Sequence, residues 1–169
     1  MTQEVKQWIQ PYQTKAQLIY QNQQNRRDTL LIRYSTATEY CGGDECGSQC
    51  EIQRAVLTSK RDSTLGITIE AKLNDLVAIN YSPFSQPDSN SLYAGIYLRN
   101  KFVDKRPATA QVSYLINYPL GGESLTVIEA SCVSANECKR LKMSSVLLSK
   151  ERGLVAYTDQ LNQRWTIVN

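Results

Sequence analysis

The sequence predicts one antiparallel all-β domain, a barrel, half-barrel or sandwich of about ten strands with a short N-terminal helix. Hydrophobic residues alternate with a period of two through most of the chain, and turn residues recur at short intervals between the alternating runs. Helical periodicity is confined to the first dozen or so residues, which leaves no crossover helices for a parallel sheet. At 169 residues, 41% hydrophobic and 21% charged, the chain suits a single domain over 1–169 and not a disordered state.

The elements follow in order. Val5, Trp8, Ile9 and Tyr12 stand at i, i+3, i+4 and i+7, so Thr2 to Gln10 reads as a helix with one apolar stripe, ended or capped by Pro11. That stripe is expected to cover an open end of the sheet. Ala16–Asn22 and Asp28–Thr38 flank the polar turn Gln23–Arg27 as a hairpin, and Glu51–Ser59 resumes strand character after a cysteine-rich loop. Leu65, Ile67, Ile69 and Ala71 then point one way while Gly66, Thr68, Glu70 and Lys72 point the other, a half-buried strand. Asn74–Asp75 turns the chain into Leu76–Ser82. Ser82–Ser91, rich in proline, serine and asparagine, reads as a long loop inside the domain. Leu92–Arg99, Thr109–Leu120, Ser124–Cys132, Met143–Ser149, Leu154–Thr158 and Arg164–Val168 complete the series, with breaks at Gly121–Gly122 and Asn162–Gln163.

The chain contains no histidine, which removes Ser-His and Cys-His nucleophiles, the usual zinc enzymes and any imidazole proton shuttle. Its net charge is +3, and its basic residues (Arg26–Arg27, Lys60–Arg61, Lys101 to Arg106, Lys139 to Lys142, Lys150 to Arg152) are dispersed beside turns. They read as solvated hairpin tips rather than a nucleic-acid face, so no nucleic-acid partner is expected. No apolar run approaches the ~20 residues needed to span a bilayer as a helix, and no secretory h-region is present. Export would place a leader or a lipid-anchor cysteine upstream of Thr2, with Met1 standing where it ended.

The five cysteines form two clusters, Cys41, Cys46 and Cys50, then Cys132 and Cys138. Their spacings are wider than the CxxC turns that zinc sites favour, so they read as disulfides in an oxidising compartment, with no metal. Cys132–Cys138 is expected across a hairpin whose turn is Val133–Glu137. Cys41–Cys50 is favoured for the second bridge with Cys46 unpaired, although other pairings within the first cluster and between clusters stay open.

Motifs of catalysis are absent: no GxGxxG, no Walker lysine loop, no GxSxG elbow and no SxxK dyad. Asp44–Glu45 falls short of a calcium site, and no cofactor is expected. Paired carboxylates drawn from separate strands remain, with Glu39, Glu51, Glu70, Glu123 and Glu129 as candidates; Glu129 would be a buried acid if the face it shares with Leu125 and Val127 points inward. Ten tyrosines against two phenylalanines suit a lining that is both apolar and hydrogen-bonding, or the semi-exposed face of an extracellular sheet. Among them Tyr93, Tyr97, Tyr114 and Tyr118 are the candidate binding residues.

Trp8-x-x-Pro11-Tyr12, Leu18-Ile19-Tyr20-x-Asn22 and Asp28-Thr29-Leu30-x-Ile32 resemble the opening of small exported lipoproteins of Gram-negative bacteria. Gly153 to Asp159 followed by Arg164-Trp165-Thr166-Ile167 resembles their closing hairpin. The resemblance implies an envelope or surface location and carries no activity. The expectation is therefore a non-catalytic exported domain, periplasmic or associated with the outer membrane or cell surface, with a binding or structural role toward an envelope component. Two alternatives stand beside it: a carrier enclosing an apolar small molecule in a half-barrel, and a histidine-free hydrolase using paired carboxylates.

Overall fold

Thr2 precedes an amphipathic helix, α1 (Gln3–Ile9), whose Val5, Trp8 and Ile9 are fully buried. A 3-10 turn, Gln10–Tyr12, with Pro11 in its first positions, leads into the sheet. The structure is a computed structural model and describes residues 1–40, 49–73, 76–81, 92–99, 102–106, 110–133 and 143–168. Its strands are β1 (Gln17–Asn22), β2 (Arg27–Tyr40), β3 (Gln49–Ser59), β4 (Gly66–Lys72), β5 (Leu76–Tyr81), β6 (Leu92–Tyr97), β7 (Phe102–Arg106), β8 (Gln111–Leu120), β9 (Glu123–Ser131), β10 (Met143–Ser149), β11 (Gly153–Asp159) and β12 (Arg164–Ile167).

These strands make one antiparallel sheet of order β7-β6-β5-β4-β3-β2-β1-β12-β11-β10-β9-β8, curled into a nearly closed barrel. Every neighbour is a sequence neighbour except β1 and β12, which pair in the middle of the sheet with Tyr20 opposite Ile167 and Asn22 opposite Trp165. The edges, β7 and β8, are consecutive in sequence and are not hydrogen-bonded to each other among the described residues. Beyond Ile32, β2 leaves β1 behind and pairs with β3 alone down to Tyr40 opposite Gln49, so this hairpin projects past its neighbours.

The all-β prediction holds, and the alternation read in β4 is the one observed: Leu65, Ile67, Ile69 and Ala71 are all buried. The count of strands does not hold. There are twelve where about ten were expected, and β7 is the one with no strand read for it, its basic residues having read as a solvated hairpin tip. Short, charged strands are what a sheet edge favours, because charge discourages pairing with another chain. The expected Val133–Glu137 hairpin turn lies, beyond Val133, outside the described residues; on its near side the Cys132 amide donates to the Ser144 carbonyl at 2.8 Å, carrying the β9–β10 ladder past Ser131. The long loop read over Ser82–Ser91 and the turn at Asn74–Asp75 lie outside the described residues.

The helix does more than cover an end. Val5, Trp8 and Ile9 belong to the same core cluster as Leu57, Ile67, Ile69, Ile79, Ile128 and Val146, so α1 fills the barrel interior. Trp8 meets Tyr114 of β8 with ring centroids 6.1 Å apart, which ties the helix to one edge of the sheet. A second, smaller cluster of Leu125, Val127, Leu147, Val155 and Ala156 lies apart from it, against Tyr118 and Leu120.

Candidate functional site

Period two sends Asp28 to the same face as Leu30, Ser59 to that of Leu57, and Asp159 to that of Tyr157, so three polar groups point toward the core. The structure gathers them at one end of the barrel. The Asp28 carboxylate has no exposure; it accepts Ser59 Oγ at 2.9 and 2.8 Å and the Tyr157 hydroxyl at 2.7 Å. Asp159 accepts the Trp165 indole N–H at 3.0 Å and the backbone amides of Leu161 and Gln163. Arg61 joins the two acids: its Nε lies 4.0 Å from Asp28 and its Nη2 3.4 Å from Asp159, and its guanidinium carbon sits 4.3 Å above the Trp165 ring centroid. Trp165 stacks in turn on Tyr157, which meets Tyr20 edge-on.

This is chemistry consumed by the fold. Burial pushes the Tyr157 hydroxyl well above its ordinary range, and its hydrogen bond to Asp28 adds to the rise, so it stays protonated as a donor. Asp28 accepts from two side chains, Ser59 and Tyr157, and pairs with Arg61 at ion-pair distance, while Asp159 accepts from Trp165 and Arg61, so internal partners occupy both carboxylates. The adjoining cleft, lined by Arg61, Asp62, Leu65, Asp159, Gln160 and Leu161, holds about 260 Å³. That is below the ~300 Å³ at which ligand pockets usually begin.

The carboxylates singled out from sequence go elsewhere. Glu39 and Glu70 are brought together, but by Arg54, at 3.0 and 2.6 Å, on the outside of the sheet. Burial tends to raise the Glu70 carboxyl, yet hydrogen bonds and charge from Lys72 and Arg54 outweigh it and hold it below its ordinary range. Glu51 accepts from Gln53 at 2.8 Å, and Glu123 pairs with Arg152 at 2.5 Å. Glu129 is half-buried opposite Ser113 and Leu147, and the inward residues of its strand are instead Ile128 and Ala130.

The tyrosines are dispersed too. Ala94 and Ile96 of β6 are in the core, so Tyr93 and Tyr97 take the outer face, where the absent side chain of Gly95 makes room for the Tyr93 hydroxyl. Tyr114 points inward onto Trp8; burial, then the charges of Glu4 and Glu151, raise its hydroxyl. Tyr118 follows a bulge between Leu115 and itself and packs on the second cluster. The expected pairings Cys41–Cys50 and Cys132–Cys138 each include a residue outside the described set.

Among the basic tips, Arg26 and Arg27 are exposed at the β1–β2 turn as expected, whereas others are engaged. Arg61 is built into the acid pair and Arg152 spans to Glu123. Lys150 lines a cleft of about 540 Å³ between the 3-10 turn and the β10–β11 turn, shared with Gln7, Gln10, Pro11, Thr14, Lys15 and Glu151. Sequence reading missed this cleft because its walls come from opposite ends of the chain and no motif links them. Asp28, Ser59 and Asp159 left a signal, polar residues at inward positions of strands. Comparison with family models, with curated proteins and with solved structures finds no match for the chain.

Proposed function

We propose that this chain is a non-catalytic, exported binding domain of the cell envelope that engages its partner with its outer surface. The observation that carries the reading is the occupied interior. A carrier needs a cavity in the barrel, and here Val5, Trp8 and Ile9 of α1 fill that space with no exposed surface left. A hydrolase of the kind considered needs two convergent carboxylates open to a cleft. Asp28 and Asp159 converge, but internal donors occupy them. The two cysteine clusters support an oxidising compartment, and the lipoprotein resemblance supports an envelope location.

Two measurements test this together. Titration with an apolar fluorescent probe such as N-phenyl-1-naphthylamine should show no saturable binding, whereas the purified protein should co-sediment saturably with isolated cell envelopes. Stoichiometric uptake of the probe would replace this reading with a carrier whose helix moves aside. Failure to bind envelopes would remove the binding role. The upstream coding sequence should encode a leader ending in a lipid-anchor cysteine.

A further inference from the structure

We propose that the cleft between the 3-10 turn and the β10–β11 turn binds an acidic oligosaccharide, one that carries uronate-type carboxylates among its hydroxyls. This rests on the outer-surface binding reading above and names the ligand class. At about 540 Å³ the cleft falls within the range of small-ligand sites. Two ammonium groups far apart in sequence, Lys15 and Lys150, line this one depression, and neither forms an ion pair among the described residues. Besides Pro11 and Glu151, the wall adds two amides, Gln7 and Gln10, and one hydroxyl, Thr14, groups that both donate and accept.

Glu151 sets the ligand class apart from a bare anion. Its carboxylate is drawn inward by Ser149 Oγ at 2.8 Å and by the Thr126 amide at 3.3 Å, so its charge is partly satisfied while it still borders the cleft. A wall with two cations, one acceptor carboxylate and two amides matches a ligand that has acidic groups and donating hydroxyls together. The wall is also firmly placed: Tyr12 of the 3-10 turn bonds to Leu154 just beyond the β10–β11 turn, which fixes one side of the cleft against the other.

The test is a calorimetric titration of the intact protein with trigalacturonate, with neutral maltotriose and with vesicles with and without phosphatidylglycerol as comparisons. Saturable binding of trigalacturonate is expected, at least about tenfold tighter than maltotriose, and Lys15→Ala or Lys150→Ala should each weaken it by about tenfold, the usual loss of a charge-assisted contact. Thr14→Ala should weaken it less, and circular dichroism should show each variant folded. No saturable binding up to about 10 mM overturns the proposal, 1 mM being already a weak site. Equal affinity for maltotriose, indifference to both lysine substitutions, or binding to anionic vesicles alone overturns it as well. If trigalacturonate fails while envelopes still bind and the apolar probe is still excluded, only this ligand class falls and the outer-surface reading stands.

Discussion

The Tyr12 hydroxyl accepts a hydrogen bond from the Leu154 amide at 2.5 Å, joining the segment before β1 to the start of β11. Tyr20 completes the contact by donating to the Leu154 carbonyl at 2.6 Å. Gly153 lies under the Tyr12 ring with φ of 82°, and an added Cβ would stand 2.7 Å from the ring and hydroxyl atoms. Both tyrosines are fully buried, and burial drives their hydroxyls well above the ordinary range, so both remain neutral.

Gly153→Ala should therefore destabilise the fold by about 2–4 kcal/mol, adding overpacking to the cost of a left-handed backbone. Gly121→Ala is the control: φ is 59° but nothing lies within 4 Å of the added atom, and about 1 kcal/mol is expected. Urea midpoints measured side by side check the difference, and equal losses would mean that Tyr12 moves aside freely.

Trp8→Ala should cost about 3–5 kcal/mol, as for other buried aromatics. Trp8→Phe should cost clearly less, because Trp8 Nε1 is buried with no hydrogen-bond partner among the described residues and its removal breaks no bond. A loss under about 1 kcal/mol for alanine in chemical denaturation would show a mobile arm and not a core helix.

Asp28→Ala strands Ser59 and Tyr157 in a buried site, leaves Arg61 only Asp159 as an acid partner, and should cost about 3–5 kcal/mol, while Tyr157→Phe should cost about 1–3. The double variant should fall short of the sum by at least about 0.5 kcal/mol, since the two share a bond. Strict additivity in denaturation would dissolve the network.

Acid sensitivity should track Glu70. Its carboxyl is held below its ordinary value in the folded protein, so the associated stability is fully present above the unfolded value and is lost as pH falls through the folded one. Glu70→Gln should be less stable than the parent at pH 7 and should lose less between about pH 5 and 3. Parallel denaturation curves at both pH values would assign the acid response to other carboxylates.

The residues behind the lipoprotein resemblance turn out to be neighbours in space. Pro11-Tyr12 meets Gly153-Leu154, Tyr20 meets Tyr157, Asp28 accepts from Tyr157, Asn22 lies opposite Trp165, and Asp159 accepts from Trp165. Such positions are visible in sequence because aromatic, glycine and turn residues at fixed offsets leave a local pattern. Strand identity was legible for the same reason, as in the alternation of β4. What was not legible depends on long-range register. Nothing local says that β1 lies beside β12, that α1 enters the barrel, or that Glu39 and Glu70 meet on one arginine. β7 was missed because the charge that protects an edge imitates a turn.

The pairing of β1 with β12 bears on the order of assembly. Each remaining ladder joins strands adjacent along the chain and can zip as it emerges, but the central ladder waits for the last strand to be made. Loop closure over nearly the whole chain then comes at the end, which is entropically the most demanding contact and a cause of slow folding. A circular permutant that joins the two ends and opens the backbone between β7 and β8 would turn the topology into an unbroken local meander. It should keep the same contacts and reach them faster.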